Sequence, residues 1–290
     1  MEQRQLIVIL ADISGYTRFM LENQTAAVHG QLVITGLIET ILAQVDIPLT
    51  LQEIEGDAVF LYAARSGTDA EWQAVVREVS LKLENFFEAF TARAATMMEV
   101  TPCGCAICRN SDKLGLKIIV HAGEAVFHAI AGRPQVSGAD VILAHRLLKN
   151  TVPSREYLLV SERAYTLMSA HLPGTFSTHE ETYEGFGKVN VHVRLLDQMQ
   201  LAARETLYAL TEPELEKAVS TYVEMGNTRD IGRATLKQLR EPVRPFSWRE
   251  KLSMLWGLVI APFMAGTVKS GDLAKEMKAR GKLRTEWAGK

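Results

Sequence analysis

Residues 6–17 read LIVILADISGYT, and the rest of the chain is legible as an elaboration of what this stretch begins. Six apolar residues in a row, 6–11, predict a strand buried on both faces. Asp12 then sets a carboxylate at the strand's end, where the chain turns through Ser14 and Gly15. An acid placed there costs free energy unless it is solvated, hydrogen-bonded or bound to a cation. The pattern partly recurs in residues 51–63, LQEIEGDAVFLYA, where Gly56-Asp57 lies between two apolar runs like a hairpin turn. Two hard oxygen ligands on adjacent strand ends would suit Mg²⁺ or Mn²⁺, with nucleotide phosphates filling the remaining positions. A cap and a turn residue are the simpler account of the two acids taken singly.

Composition bounds the rest. The 290 residues allow one large domain or two smaller ones, and 47% hydrophobic content can bury a substantial core. A net charge of −2 gives no support for a nucleic-acid binder. The charge is uneven: residues 241–290 hold ten Lys and Arg against five Asp and Glu, a net of +5, which leaves −7 for residues 1–240. That asymmetry points to a basic tail with a surface role. The start of the chain runs straight into a strand without a signal peptide, and its three cysteines do not form a secreted disulfide framework, so a cytoplasmic protein is expected.

Helical spacing is expected over residues 23–45, where Val33, Leu37 and Ile41 share a face, and again from Trp72 to Phe90. The aromatic stripe of the second helix reads as core. Cys103, Cys105 and Cys108 form a CxCxxC cluster that could bind Zn²⁺, given a fourth ligand such as His121, His128 or a group from a partner chain. Reduced free thiols are the alternative. Strands are expected at 116–120 and 126–130, separated by HAGE, and the chain turns at 132–134. A helix at 139–150, a strand at 157–160, a helix at 162–169 capped by Ser161, and closing strands within 182–196 complete the pattern.

The order is strand, helix, hairpin, helix, strand pair, helix, strand, helix, strand pair: an α/β sandwich with helices against a mostly antiparallel sheet. Together with ADISGYT, EGDAVFLY, IIVHAGEAV and GADVILAHRLL, it resembles the class III nucleotidyl (adenylate/guanylate) cyclase catalytic domain. Those segments in that family read FADIxGFT, xGDAxMA, IGIHxGxV and GDxVNxAxRL. The likeness covers about residues 6–197, and HAGE, AHRLLKN and CxCxxC resemble an uncharacterised bacterial cyclase-homology family. The resemblance implies a ferredoxin-like βαββαβ fold over residues 1–200, and residues 201–290 are expected to form a helical C-terminal extension. It implies Asp12, Asp57 and the Ile13 carbonyl as ligands of two Mg²⁺ or Mn²⁺ ions, and Ser14, Gly15, Tyr16 and Thr17 as a turn whose amides meet nucleotide phosphates. Glu53 and Gln135 fall at the purine-reading positions, where Glu53 alone would favour guanine and Gln135 fits neither pattern. Arg146 matches the transition-state arginine.

Two departures stand out. The transition-state asparagine of the family aligns with Ile142, and the later phosphate-binding lysine falls near Glu184, with Lys188, His145 or Lys149 as substitutes. Losing one preorganised donor costs about 10²–10³ in rate. Three functions are therefore expected in this order: a metal-dependent nucleotide-binding homologue with weak or no cyclase activity and a regulatory role; an active cyclase of altered nucleotide choice; or a membrane-associated scaffold. The resemblance also implies a head-to-tail homodimer with a composite site. Beyond residue 197 it ends. Residues 211–214, TEPE, form a capping box opening a helix. Residues 252–268 run seventeen positions without a charge, interrupted by Gly257, Pro262 and Gly266; they suit a packed tail helix or a peripheral membrane contact with Trp248 and Trp256 at the interface.

Overall fold

The computed structural model describes residues 1–22, 27–99 and 113–196. They divide into two compact units. The first comprises residues 1–14, 38–90 and 115–196; the second comprises residues 15–22, 27–37, 91–99 and 113–114.

The first unit is built on a sheet whose strands are β1 (Glu2–Ser14), β2 (Thr50–Glu55), β3 (Ala58–Ala64), β4 (Gly115–Ile130), β5 (Arg133–Ser137), β6 (Tyr157–Ser161), β7 (Ser177–Tyr183) and β8 (Gly187–Leu195). Their order is β2-β3-β1-β4-β6-β8-β7, with β5 hydrogen-bonded to β4. Every pairing is antiparallel except β4 with β6. The described helices of the chain are α1 (Tyr16–Glu22), α2 (Ala27–Leu42), α3 (Asp69–Glu99), α4 (Ala139–Leu147) and α5 (Glu162–Met168). Strands β1 to β4, with helical segments after β1 and after β3, are joined βαββαβ and ordered β2-β3-β1-β4. That is the ferredoxin-like arrangement, so the α+β fold expected from the sequence is the one observed.

β1 is central because its side chains at 6–11 are all at most 1% exposed, on both faces of the pleat. On one face Leu6, Val8 and Leu10 pack with Ile119, Tyr157, Leu159, Val191 and Val193 under Val141, Ala144 and Leu147 of α4. The alternate residues Ile7, Ile9, Ala11 and Ile13 face the other way and are equally buried. α3 begins in a capping box: the Glu71 N–H donates to Thr68 Oγ1 at 3.3 Å, and the Thr68 N–H donates to Glu71 Oε2 at 2.6 Å. Trp72, Val76, Val79, Leu83, Phe86, Phe87 and Phe90 along it are buried, so the aromatic stripe is core.

Four local expectations need correction. Residues 115–130 form one continuous strand rather than two, because β1 pairs with it without interruption from Glu2 opposite Phe127 to Ser14 opposite Gly115. Gly123 lies mid-strand because a Cβ there would come within 2.2 Å of Asp140 Oδ2, not because the chain turns. The helix expected at 139–150 stops at Leu147, where Asn150 Nδ2 donates to the Leu147 carbonyl at 2.7 Å. β7 begins at Ser177, earlier than expected, since it is a polar edge strand in which Glu181 is the buried position. In the second unit, α1 opens at Tyr16 directly after Gly15, whose φ of 86° supplies the whole turn, and the Phe19 N–H closes back on the Gly15 carbonyl at 2.9 Å. The extension 201–290, with its apolar segment 252–268, lies outside the described residues. Among the described residues no helix is long and apolar enough to cross a membrane.

Gly123 gives a direct test of this packing. Gly123→Ala would drive a methyl into a carboxylate that is itself fixed by other hydrogen bonds, and is expected to lower stability by about 2 kcal/mol. Chemical denaturation of the two proteins measures it.

Candidate functional site

The site grows from the end of β1. Asp12 is paired in register with Ala58 of β3 and Lys117 of β4. Asp57 occupies the two-residue turn between β2 and β3, with Gly56 at φ 69° beside it. That turn is held against β1 by the Ile13 N–H, which donates to the Asp57 carbonyl at 3.3 Å. A hairpin docked on the central strand thus delivers the second acid to the first. The carboxyl of Asp57 is pushed up to about 6, first by burial and then by the adjacent negative charge of Asp12, against a smaller opposing pull from Lys117. Two carboxylates this close, one of them reluctant to ionise, are short of positive charge.

Lys117 supplies part of it. Its Nζ lies 2.7 Å from Asp12 Oδ2 and donates to the Leu148 carbonyl at 3.2 Å, just beyond α4. On the next strand Tyr157 is the register partner of Lys117. Burial pushes its hydroxyl up to about 12, and it exchanges hydrogen bonds with Asn150 at 2.8 and 3.0 Å. Among the described residues no group of three or more His, Cys, Asp and Glu side chains could hold a metal. A cation here would be carried by the two carboxylates, backbone oxygen and non-protein oxygens. That all-oxygen set fits Mg²⁺ or Mn²⁺ rather than a soft metal.

The other expected residues fall as follows. Ser14 closes β1, whereas Gly15, Tyr16 and Thr17 belong to the second unit. Glu53 is exposed on β2 beside a bulge between Leu51 and Glu53. Gln135 is half-buried on β5 opposite His128. The two strands lie within reach of each other, since Gln52 Nε2 donates to the Pro134 carbonyl at 3.1 Å. Arg146 and Ile142 sit one turn apart on the exposed face of α4, Ile142 being 53% exposed. Of the substitutes for the missing lysine, Lys188 is paired with Glu180 at 2.8 Å and His145 bridges the Val141 carbonyl and Glu55 Oε1 at 2.9 and 3.2 Å. Lys149 is exposed.

Cys103, Cys105 and Cys108, and the zinc expected of them, lie outside the described residues. His121 is not available as their fourth ligand. It is 2% exposed, with Nδ1 2.7 Å from Ser161 Oγ and Nε2 3.2 Å from Asp140 Oδ1. The Ser-His-Asp order resembles a nucleophilic triad, but the buried Ser161 also accepts the Ala164 N–H as the α5 cap. Asp140 meanwhile accepts the Glu124 N–H at 2.7 Å and pairs with Arg163 at 3.1 Å. The trio is a clamp joining β4, α4, β6 and α5. Every partner is satisfied with a neutral ring: Nε2–H donates to Asp140 and Nδ1 accepts from Ser161. Burial holds the His121 pKa below its ordinary 6.5. The unfolded chain therefore takes up this proton first as pH falls below 6.5, and stability falls with it. Thermal melts from pH 7 to 5 should show that loss, and His121→Gln should flatten it.

Lys117 and this clamp are what sequence reading missed. The available signal was periodicity: Lys117 falls on the same face as Ile119 in an otherwise apolar strand, and a charge at an inward position demands a partner.

Comparison with known proteins adds the following. Residues 34–157 match a family described as "Protein of unknown function (DUF2652)". The chain is 30% identical over 146 residues to "Uncharacterized protein Rv2561/Rv2562" of Mycobacterium tuberculosis. That match covers 50% of this chain and 65% of the relative's length. Similar solved structures include an adenylate/guanylate cyclase/hydrolase from Silicibacter pomeroyi, 16% identical, covering 68% of this chain and 99% of that one at a TM-score of 0.44. Another is the adenylyl cyclase CyaB from P. aeruginosa, also 16% identical, covering 68% and 97% at a TM-score of 0.43.

Proposed function

We propose that this chain is a divalent-metal-dependent nucleotide-binding homologue of the nucleotidyl cyclases, with weak or no cyclase turnover and a regulatory role. The observation that carries the reading is the convergence of Asp12 and Asp57 at neighbouring strand ends, where the charge of Asp12 helps push the Asp57 carboxyl up. A divalent cation there would neutralise phosphate charge and activate a ribose hydroxyl. The chain's part is to hold that cation between two carboxylates, with the Ile13 carbonyl as backbone ligand. Glu53 and Gln135 would meet the base, and Ser14, at the end of β1, the phosphates.

Low turnover follows from Ile142, which has no hydrogen to donate, and from Glu184 in place of a cation. An active enzyme of altered nucleotide choice is the second reading. It is favoured by Arg146, which is exposed on α4. Both readings take residues 1–200 as the cyclase-like domain and 201–290 as an extension whose apolar segment 252–268 forms either a packed tail helix or a peripheral membrane contact. Both place the protein in the cytoplasm as a homodimer whose partner supplies Glu53, Gln135 and Arg146 to the acids. Zinc at the three cysteines is a separate proposal, read by elemental analysis of protein purified without added metal.

The test is incubation of the full chain with each nucleoside triphosphate and Mn²⁺, with mass spectrometry for cyclic products and equilibrium dialysis for binding. Metal-dependent binding with little or no cyclic product is expected. Robust cyclic product favours the second reading, and no binding of any nucleotide rejects both.

A further inference from the structure

Lys117 has no role in the function proposed above. Its position is set by the backbone, because β1–β4 register places it directly across from Asp12. The pair is sheltered, with side-chain exposures of 19% and 16%. The ammonium is fixed at two points, 2.7 Å from Asp12 Oδ2 and 3.2 Å from the Leu148 carbonyl. Swinging it out would leave a charge and a carbonyl poorly solvated at once, which opposes release. A lysine so held differs from an exposed one that drifts among partners.

We propose that Lys117 is a fixed counter-cation on one side of Asp12, which leaves that carboxylate a single side for a metal shared with Asp57 and limits the site to one divalent ion per chain. The inference rests on the metal reading of Asp12 and Asp57. The reason is elementary: a second dication on Asp12 would have to displace an ammonium or sit against it, and like charges at such range repel strongly where water is scarce. The same contact ties Asp12 to the end of α4, the helix that carries Arg146, so Lys117 acts as a positioning residue.

The experiment counts ions. Mn²⁺ is titrated into the full chain, with and without 3′-deoxy-GTP, which cannot cyclise. Bound metal is read from loss of the free-Mn²⁺ electron paramagnetic resonance signal beyond that of a matched titration of the analogue without protein. Wild type is expected to take one ion under both conditions. Lys117→Met keeps the stem and removes the charge, and is expected to take a second ion with the analogue present. Lys117→Arg restores the charge and should return to one. Thermal melts establish that each variant is folded. Two ions in wild type, or one in Lys117→Met, overturn the proposal while leaving the metal reading standing. No ion in wild type removes the metal reading and this proposal with it, and retention of binding in Asp57→Asn does the same.

Discussion

Asp57→Asn is expected to melt higher than wild type at pH 7.5 without metal, and to lose Mn²⁺ binding by about 100-fold or more. The stabilisation follows from the sign of the Asp57 shift. Its folded-state value is about 6, against an ordinary 3.8. Between those values the folded protein holds a proton that the unfolded chain has released. Its contribution is therefore complete below 3.8 and is lost as pH rises through 6. At pH 7.5 the wild type carries the full cost of an ionised Asp57 beside Asp12. At complete burial that would approach about 3 kcal/mol, and partial exposure screens it to roughly 1 kcal/mol. Asparagine keeps the shape and cannot ionise, so Tm should rise by about 2–4 °C. The same charge is what a dication needs, so the variant trades binding for stability. Scanning calorimetry from pH 4 to 8 checks the first half: the advantage should be absent at pH 4 and grow through 6. Metal titration checks the second.

Ile142→Asn is expected to raise cyclic-nucleotide formation by about 10²-fold over wild type, the scale of one restored transition-state donor. The change should cost little stability, because Ile142 is 53% exposed on α4 and its apolar neighbours Val141 and Ala144 keep the packing. Adding Arg146→Ala should erase most of the gain without matching loss of nucleotide binding, since an arginine that meets only the transition state lowers kcat rather than affinity. Asp57→Ala should remove activity from either background. If Ile142→Asn folds, binds nucleotide and turns over no faster than wild type, the loss of that donor is not what limits the wild type, and the degenerate-site account fails.

The sequence exposed those parts of the molecule where a local pattern and a tertiary role coincide. β1 was readable because a strand buried on both faces must be continuously apolar. The hairpin was readable because Gly56-Asp57 carries turn chemistry between an exposed, partly apolar strand and the buried run of β3. Asp12 and Asp57 could be paired by motif, but the upward push of Asp12 on the Asp57 carboxyl depends on the Ile13–Asp57 contact, which no local pattern contains. Where pattern and role diverge, reading failed in definable ways. HAGE looks like a break because glycine usually is one, yet Gly123 is there to let the Asp140 carboxylate approach. β7 is an exposed edge, so its residues STHEETY lack the apolar alternation that marks a strand. His121 looked like a metal ligand because histidine often is, whereas its partners Ser161 and Asp140 are 40 and 19 residues away. Lys117 meets Asp12 only through the pairing of β1 with β4.

The most direct test of the central claim is an anomalous difference map from crystals of the full chain grown with Mn²⁺ and 3′-deoxy-GTP. The account predicts a manganese peak within ligand distance of both Asp12 and Asp57, with the nucleotide phosphates on its far side. Well-ordered crystals with no peak at those two carboxylates, or with the metal bound elsewhere while Lys117 and Asp12 stay paired and Asp57 faces only water, would contradict it.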